Sequence, residues 1–471
     1  MKADSLTEVA DDLENQSKDN ETLGQKVLRG GFWLFGINVV YRVLRFTSTL
    51  VLARLLIPSD FGVLAVALLT ISLLENFSLT GFDKALIQKK GNINDYLNTA
   101  WTISLIRGAV LSLIVFFSAS IVTGFFNIPR SEHILRVLAL ALVFDGMANI
   151  GLVFFSRELD FKKLFSYQVG GAIAYMLVSL PLAIIFKSVW ALVFGILAEK
   201  IVCMFLSYVV HPYRPRLEFD LAKAKELYSF GKWIFAIGIM SYLVMQGDNF
   251  FVGKVLGATA LGFYAMAFRI CNLPVSEMYT MISKVLFPAY SKLQDDIPKL
   301  REAYNKTMQV IFFVSFPMTS MIVVLSHEFT AIFLGEKWLP IVPLIKVLSL
   351  YAFLRALAVF TGSLFQAVGR AEIDTKLLAY RLLIMMCLMY PFAQYWGIVG
   401  VAVAVLCSRV IDVVSVYIAL GIIKGRLIPA LKELLFPLVG SVITGLVLIN
   451  FKPFIMSQHD KFGFFILAIM G

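Results

Sequence analysis

Long, continuous hydrophobic runs dominate the chain from Gly31 onward, and short polar segments separate them. Each run holds about twenty residues, the length at which an α-helix crosses roughly 30 Å of bilayer hydrocarbon. Strands of outer-membrane barrels alternate instead, in segments of about ten residues, so continuous runs indicate helices. The pattern predicts an all-α polytopic membrane protein with about fourteen transmembrane helices. The predicted spans are 32–56, 60–82, 97–125, 134–156, 164–186, 189–210, 230–256, 260–289, 307–334, 340–368, 375–395, 397–423, 433–451 and 462 onward. The last run, GFFILAIMG, is short, and we expect its helix to be incomplete.

Composition narrows the class of protein further. Hydrophobic residues make up 59% of the 471 residues and charged residues only 15%, with a mean hydropathy of +0.81. Soluble domains are about 45–50% apolar and about 25% charged, so the chain falls outside that class. Residues 1–30 are polar, and we expect no cleavable signal peptide. The four cysteines lie inside apolar runs, without the spacing of a disulfide framework or a metal site. We therefore predict no metal, no cofactor and no catalytic residue, that is, a protein that is not an enzyme.

The net charge of +11 is distributed as membrane topology requires. Lysines and arginines are concentrated in the short segments between hydrophobic runs, and one alternate set of these segments carries far more of them than the other. Basic residues are enriched in the cytoplasmic loops of membrane proteins. We therefore expect a cytoplasmic N-terminus, and we interpret the positive charge as a topology signal and not as a nucleic-acid-binding surface.

The chain repeats itself at an offset of 200 residues (231 − 31). GFWLFGI at 31–37 aligns with GKWIFAI at 231–237, and the register continues through the pair Gly62 and Gly262, with Arg54 and Lys254 matching in charge. An even number of predicted spans separates the copies, so both have the same orientation and form a parallel repeat. The repeat predicts two six-helix lobes around a central cavity that holds the substrate. The predicted divisions are a cytoplasmic polar tail (1–30), an N-terminal lobe (31–210), a cytoplasmic linker (211–229), a C-terminal lobe (230–423) and a C-terminal helix pair (424–471).

Charged residues inside the predicted spans are the candidates for function. A charge at the centre of a membrane helix costs about 2.5–3.5 kcal/mol on insertion scales, so each needs a compensating role. Arginine can form two parallel hydrogen bonds to phosphate oxygens and stays charged when desolvated. We predict that a phosphate-bearing substrate is bound in the cavity by Arg42, Arg45, Arg107, Arg269 and Arg355. The candidate acids for ion coupling are Glu75, Asp145, Asp248 and Glu277.

Ion pairing inside the membrane is the alternative explanation for these charges. Arg42 and Arg45 are three residues apart, hence on one helical face, and serve either the cavity or a structural ion pair. Arg409 and Asp412 have the same spacing, and we predict that they neutralise each other.

Five sequence blocks then carry a family resemblance. They are ARLLIPSDFGVLAVA (53–67), TGFDKALIQKK (80–90), GDNFFVGKVLGATALGFYAMAFRICNLP (247–274), SKVLFPAYSKLQDD (283–296) and LGEKWLPIVPLIKVLSL (334–350). In order and spacing these blocks resemble the polysaccharide-exporter branch of the multidrug/oligosaccharidyl-lipid/polysaccharide flippase superfamily, in particular Wzx-like flippases of the colanic-acid-exporter group.

The resemblance implies two six-helix lobes with two further C-terminal helices, working by alternating access. It implies that an undecaprenyl-pyrophosphate-linked oligosaccharide repeat unit moves from the inner to the outer leaflet of a bacterial inner membrane, for surface polysaccharide biosynthesis. Membrane lipids and the polysaccharide polymerase machinery are the other partners that it implies. Proteins of this kind have cationic cavities with arginines in the first and eighth helices, and Arg42, Arg45 and Arg269 lie in comparable spans here.

Three other classes remain open on the sequence. A cation-coupled multidrug exporter of the same fold would need an acidic, aromatic-lined cavity, which the arginines inside the spans disfavour. A membrane-embedded polymerase, ligase or glycosyltransferase would need catalytic groups on a substantial loop, and the predicted loops are short and lack a nucleotide-binding glycine motif. A structural scaffold would not explain arginines in the centres of spans.

Overall fold

The computed structural model describes residues 23–78, 86, 93–158, 161–425 and 427–458, with side chains described there except at 23–35, 37–38, 156, 158, 161, 222–241, 273–285, 427–434, 451 and 453–458. These residues form helices joined by short connections and contain no β-strand, which confirms the all-α fold class. The helices are α1 (Leu23–Leu55), α2 (Pro58–Phe77), α3 (Asn94–Phe126), α4 (Ser131–Gly146), α5 (Val153–Glu158), α6 (Phe161–Phe186), α7 (Trp190–Val210), α8 (Leu221–Leu293), α9 (Ile297–Phe329), α10 (Val342–Ala367), α11 (Ala371–Ser408), α12 (Val410–Ile422) and α13 (Leu427–Gln458). A π-helical turn (Thr330–Leu334) and a 3-10 helix (Glu336–Ile341) connect α9 to α10.

The chain is a multi-span membrane protein. Within the described ranges, eight segments are long and apolar enough to cross a bilayer. They are Pro58–Phe77, Asn94–Phe126, Lys162–Phe186, Trp190–Val210, Tyr242–Asn272, Ile297–Leu334, Glu336–Ala367 and Ala371–Ile422. The last of these has 52 residues, whereas one crossing needs only about 20. Segments and crossings therefore do not correspond one to one, and the number of about fourteen spans stays a prediction.

Two long helices bend at glycines with positive φ. The backbone leaves helical geometry at Gly257 in α8 (φ 82°, ψ −177°) and at Gly397 in α11 (φ 56°, ψ −134°). Glycine adopts positive φ readily because it has no Cβ atom to clash with the backbone. Both glycines lie at boundaries between predicted spans, so each of these helices consists of two shorter helices joined at a bend.

The fourth predicted span, 134–156, is not one continuous helix. α4 ends at Gly146, and Asn149 caps a 3-10 turn before α5 begins. The Asn149 side chain accepts a hydrogen bond from the backbone N–H of Gly151 (2.9 Å) and donates one to the carbonyl of Tyr213 (2.6 Å). Asparagine side chains that bond the backbone in this way compete with helical hydrogen bonds, which explains the break.

The described residues group into two units that do not follow the order of the chain. The first unit holds the described parts of Met1–Leu52, Ile71–Ser120 and Glu132–Ile239, and the second holds those of Ala53–Thr70, Ile121–Ser131 and Met240–Gly471. The last residues of α1 and α3 and the start of α2 therefore belong to the second unit. The six-helix lobes at 31–210 and 230–423 stay a prediction.

Glycines bring helices of the first unit into close contact. A Cβ atom at Gly108 of α3 would lie 3.2 Å from the Cα atom of Gly146 on α4, and one at Gly195 of α7 would lie 3.1 Å from the Tyr175 ring on α6. Small residues let membrane helices approach closely enough for van der Waals packing to hold them together. The contact of α6 with α7 brings Tyr175 next to α7, which carries the charged residues Glu199 and Lys200.

Candidate functional site

Arg45 of α1 forms an ion pair inside the first unit. Its guanidinium lies 3.1 Å from the Glu199 carboxylate on α7, and 4.1 Å from the centroid of the Tyr175 ring in a cation–π contact. The Tyr41 hydroxyl donates to the same carboxylate at 3.4 Å. Arg42, three residues earlier on α1, is half-buried. The structure thus gives Arg45 an acidic partner on another helix.

Lys200, the neighbour of Glu199 on α7, pairs with a different helix. Its Nζ atom lies 2.7 Å from the carboxylate of Asp145 on α4. Consecutive residues of α7 therefore connect this helix to both α1 and α4. In the sequence, Glu199 and Lys200 are recognisable as adjacent opposite charges within a predicted span, but of these three residues only Asp145 was among the predicted site residues.

A cavity of about 370 Å³ lies within the first unit, lined by Arg107, Glu75 and Asp145 among other residues. Arg107 of α3 donates to the backbone carbonyl of Glu75 (3.0 Å) and to the hydroxyl of Ser78 (2.9 Å), just at the C-terminal end of α2. A cation is favourable there because the helix dipole leaves partial negative charge on the last carbonyls. One cavity therefore brings together three of the predicted site residues.

The charged side chains of these contacts are equal in number by sign. They are Arg45, Arg107 and Lys200, with Glu75, Asp145 and Glu199, of which Glu75, Arg107 and Asp145 line the cavity. Pairing lowers the cost of holding such charges within the membrane. Among the described residues, no group of three or more His, Cys, Asp or Glu side chains is arranged to hold a metal ion. An anionic substrate that contacts Arg45 competes with Glu199 for its guanidinium.

Asp248 is buried in the second unit and is hydrogen-bonded across the bend of α8. The Tyr264 hydroxyl donates to its carboxylate at 2.8 Å, and the backbone N–H of Asn249 donates at 2.8 Å. Tyr264 lies on the far side of the bend at Gly257. The carboxylate therefore links the two parts of α8.

Arg409 and Asp412 are paired at 3.0 Å, which confirms the prediction from their spacing. Arg381 of α11 lies 3.5 Å from the same carboxylate, and the Arg409 guanidinium lies 4.3 Å from the centroid of the Tyr351 ring. All three charged side chains are nearly buried. One carboxylate of α12 thus pairs with two arginines in the interior of the second unit.

The remaining predicted residues of the second unit lie on α8 and α10. Arg355 donates to the side-chain oxygen of Asn272 at 3.1 Å, and Arg269 is exposed. Glu277 lies outside the residues whose side chains the structure describes. Arg269 and Arg355 belong to the second unit, whereas Arg42, Arg45 and Arg107 belong to the first.

A further set of contacts in the second unit follows the sequence repeat. Gly62 of α2 packs against the backbone of Ala258 on α8, and Gly262 of α8 packs against the backbone of Pro58 on α2. Gly62 and Gly262 differ by 200 residues, and so do Pro58 and Ala258. The contact is reciprocal, as expected between two copies of one motif related by a two-fold axis. A Cβ atom at Gly62 would lie 2.5 Å from the carbonyl carbon of Ala258, so only glycine fits.

Cations at equivalent repeat positions extend this contact. Arg54 donates to the backbone carbonyl of Ile332 (2.8 Å), just after α9, and Lys254 donates to the carbonyl of Phe125 at the end of α3. Both interactions place a cation at a helix C-terminus, where unpaired carbonyls carry partial negative charge. The fully buried Trp338 donates its indole N–H to a carbonyl of α1. We call Arg54, Pro58 and Gly62, with their counterparts Lys254, Ala258 and Gly262, the reciprocal clasp.

Long apolar helices with paired charges in their interiors define a membrane transporter class of protein. The chain belongs to the family described as Polysaccharide biosynthesis protein, which matches residues 51–343.

Relatives with curated names agree with this family. The lipopolysaccharide biosynthesis protein WzxC of Escherichia coli (strain K12) is 27% identical over 398 residues, which covers 84% of this chain and 81% of the relative. An uncharacterized membrane protein in the cps region of Klebsiella pneumoniae is 26% identical over 445 residues, covering 92% and 87%. The teichuronic acid biosynthesis protein TuaB of Bacillus subtilis (strain 168) is 26% identical over 301 residues, covering 62% and 61%. The resemblance to Wzx-like proteins is thereby confirmed.

Solved structures share the fold. The lipid II flippase MurJ in an inward closed conformation superposes with a TM-score of 0.70 at 14% identity, covering 91% of this chain and 98% of that one. An inward-facing multidrug resistance MATE family transporter of the MOP superfamily gives a TM-score of 0.66 at 15% identity, covering 82% and 94%. Sequence identities this low show a common fold but do not identify the substrate.

Proposed function

We propose that the protein moves an undecaprenyl-pyrophosphate-linked oligosaccharide repeat unit from the inner to the outer leaflet of a bacterial inner membrane. The observation that carries this proposal is the family match, together with relatives named for lipopolysaccharide biosynthesis and O-antigen transport. The fold shared with a lipid II flippase supports a lipid-linked substrate. The polymerase of the same polysaccharide pathway is the proposed partner that receives the product.

Pyrophosphate recognition is proposed for the first unit. Arg45 is held by Glu199 and by the face of the Tyr175 ring, so its guanidinium is already oriented and partly desolvated. A pyrophosphate offers two parallel acceptor oxygens and more charge than one carboxylate, and can displace Glu199 from this arginine. In this scheme Arg42 and Arg107 add positive potential in the same unit, and Arg269 and Arg355 do so in the other.

Alternating access is the proposed mechanism, with lobes at 31–210 and 230–423, a C-terminal helix pair and a cytoplasmic N-terminus. The reciprocal clasp lies at the C-terminal end of α1, and one crossing separates that end from the N-terminus. In the proposed orientation the clasp therefore closes the extracytoplasmic side. Release of the substrate to the outer leaflet would require the clasp to open.

The driving force is proposed to involve a carboxylate in the first unit. Glu75 lines the 370 Å³ cavity and forms no ion pair with another described residue, whereas Asp145 is paired with Lys200. Asp248 is already bonded to Tyr264. If transport is coupled to protons or sodium, Glu75→Gln is expected to abolish the dependence on that ion. Unchanged ion dependence in this variant would remove Glu75 from the mechanism.

The experiment that tests the proposed function is a lipid extraction from a host in which the gene has been deleted. Polyprenyl-pyrophosphate carrying a complete repeat unit is expected to accumulate. Wild-type protein, Arg45→Ala and Arg136→Ala are then restored in parallel. Arg136 is the matched control because it also pairs with a glutamate of the first unit, Glu132, at 2.6 Å.

Accumulation that wild type and Arg136→Ala relieve, but Arg45→Ala does not, would support both the function and the binding site. Relief by all three would keep the flippase function and discard Arg45 as a pyrophosphate ligand. Normal lipid-linked intermediates and normal polymer export in the deletion strain would contradict the flippase function, and would favour the multidrug-exporter class that shares this fold.

A further inference from the structure

The connection between α7 and α8, residues 211–220, has no regular secondary structure, begins in extended geometry at His211 and is attached to the side of α3 in the first unit. Backbone N–H groups of every second residue face α3: that of Arg216 donates to the Asn98 side chain (3.0 Å), and that of Glu218 donates to the Thr102 hydroxyl (3.1 Å). We call residues 211–220 the strap. The Glu218 carboxylate and the Tyr213 hydroxyl also bond the Asn98 side chain, at 2.8 and 2.6 Å. Because alternate N–H groups form one edge of the segment, its other side chains project to two faces that α3 does not cover.

The two faces of the strap differ sharply in polarity. Alternate residues of an extended segment project to opposite faces. One face carries Arg214, Arg216, Glu218 and Asp220, and the other carries Pro215, Leu217 and Phe219 and continues to Leu221 at the start of α8. The apolar side chains are uncovered: 74% of Leu217, 57% of Phe219 and 72% of Leu221 is exposed. Large apolar groups grouped in this way mark a surface that binds an apolar partner.

The position of the strap along α3 identifies that partner. Exposed apolar residues at helical spacing, Ile106, Val110, Leu113 and Phe117, form the lipid-facing stripe of α3. From Ile106 to the end of α3 is about 30 Å of helix, the thickness of the hydrocarbon core. Thr102 and Asn98 continue the same stripe, roughly 6 and 12 Å beyond Ile106. The headgroup layer adds about 5–8 Å on each side of the hydrocarbon, so Thr102, which holds Glu218, lies within that layer and Asn98 lies just beyond its outer edge.

Aromatic residues at the same level agree with an interfacial depth. Tyr213 of the strap donates its hydroxyl hydrogen to Asn98 at 2.6 Å, and Tyr208 donates to the carbonyl of Met147 at 2.8 Å. The Trp101 indole is directed to the same carbonyl at 3.5 Å. Tryptophan and tyrosine concentrate at the membrane–water interface, where the ring is in apolar surroundings and its polar atom reaches a partner.

We infer that the strap is a membrane-interface anchor, whose Leu217, Phe219 and Leu221 side chains insert into the headgroup layer of the bilayer at the N-terminal end of α3. The partner is the lipid itself, because the strap continues the lipid-facing stripe of a membrane-spanning helix. The polar face, with Arg214 and Arg216, then points to water. In the proposed orientation this leaflet is the cytoplasmic one, and the anchor itself does not depend on the transported substrate.

Spin-label accessibility tests the anchor in the full-length protein, reconstituted in nanodiscs of phosphatidylethanolamine and phosphatidylglycerol. The four native cysteines, Cys203, Cys271, Cys387 and Cys407, are first replaced by alanine. Nitroxide labels are then placed singly by Leu217→Cys and Phe219→Cys, with Arg214→Cys and Arg216→Cys as matched controls on the opposite face, where both side chains are exposed. Accessibility to oxygen, which partitions into lipid, is compared with accessibility to a water-soluble nickel chelate.

Labels at 217 and 219 are expected to favour oxygen over the nickel chelate by several-fold, and labels at 214 and 216 to show the reverse. High nickel accessibility at all four positions would place the strap in water and overturn the inference. Low accessibility to both reagents at 217 and 219 would show that protein, such as a second copy of the chain, covers this face, and would also overturn it. Asn98→Ala, which removes the attachment to α3, is expected to weaken the two-residue alternation.

Discussion

Gly62→Ala is the sharpest perturbation of the reciprocal clasp. The new methyl carbon would overlap the carbonyl oxygen of Ala258 and lie 2.5 Å from its carbonyl carbon and 3.0 Å from its Cα atom. Carbon atoms in contact are optimally separated by about 3.5–4.0 Å, so α2 and α8 would have to move apart by more than about 1 Å. All three obstructing atoms belong to the backbone, and no rotation of a side chain relieves the overlap. Overpacking of this kind typically costs about 1–3 kcal/mol.

In the proposed alternating-access mechanism only the state with the clasp closed bears this cost, because opening the clasp would separate Gly62 from Ala258. A shift of about 1–3 kcal/mol between two states changes their ratio by roughly 5- to 150-fold. We therefore expect Gly62→Ala to raise the open fraction by one to two orders of magnitude at most. The readout is the rate at which a cysteine in place of the buried Leu56, in a cysteine-free background, reacts with a membrane-impermeant maleimide added to intact cells.

Gly124→Ala is the matched control. Gly124 lies near the C-terminal end of α3, where Lys254 of the clasp donates to Phe125, and a Cβ atom at Gly124 meets nothing within 4 Å. Its labelling rate should equal that of the parent. Gly262→Ala should behave like Gly62→Ala, because the repeat places a backbone against both glycines. If Gly62→Ala is folded and its labelling rate matches that of Gly124→Ala, the reasoning that the glycine contact holds this side closed is refuted.

Three further variants probe packing and buried charge, each by thermal unfolding of the purified protein in detergent. Trp338→Phe leaves the Ala53 carbonyl without its indole donor, and we expect a loss of about 1–3 kcal/mol. Asp412→Asn removes the only carboxylate found within 4 Å of two buried arginines in the described structure, and we expect a loss of about 3–5 kcal/mol. Gly108→Ala places a methyl group 2.5 Å from the Leu142 carbonyl oxygen, and we expect about 1–3 kcal/mol of destabilisation from overpacking of α3 against α4.

Each variant has a control of the same chemistry at an open position. Trp396→Phe and Asp95→Asn change exposed side chains, and Gly440→Ala adds a methyl group with no neighbour within 4 Å. These three controls should stay within about 0.5 kcal/mol of the parent. A variant that unfolds at the same temperature as its control would show that the corresponding contact does not contribute as argued.

Helix positions followed closely from the hydrophobic pattern. The span predicted at 189–210 corresponds to α7, because a segment in lipid must satisfy its own backbone hydrogen bonds and therefore forms a helix wherever it is apolar. The break of the fourth span was not predictable in this way. It depends on Asn149, whose partner Tyr213 lies far away in the sequence and comes close only after folding.

In the candidate site, too, contacts within one helix were predictable and contacts between helices were not. The pair Arg409 and Asp412 was predicted because residues three apart on a helix are neighbours whatever the tertiary structure. Arg45 was recognised as an intramembrane charge, but its partner Glu199 sits on another helix, and the sequence contains no signal that joins them. The cavity shared by Glu75, Arg107 and Asp145 likewise arises from three helices.

The sequence by itself determined the helical membrane class, the duplication at an offset of 200 residues and the family, because hydrophobicity and repeat register are properties of residues in order along a chain. Only the tertiary structure decided which charges on different helices pair with each other and that the two copies meet through Gly62 and Gly262. The physical reason is the short range of the interactions between helices. Coulomb attraction and van der Waals contact act over a few ångströms within a protein, so they depend on which helices become neighbours and not on which residues the chain contains.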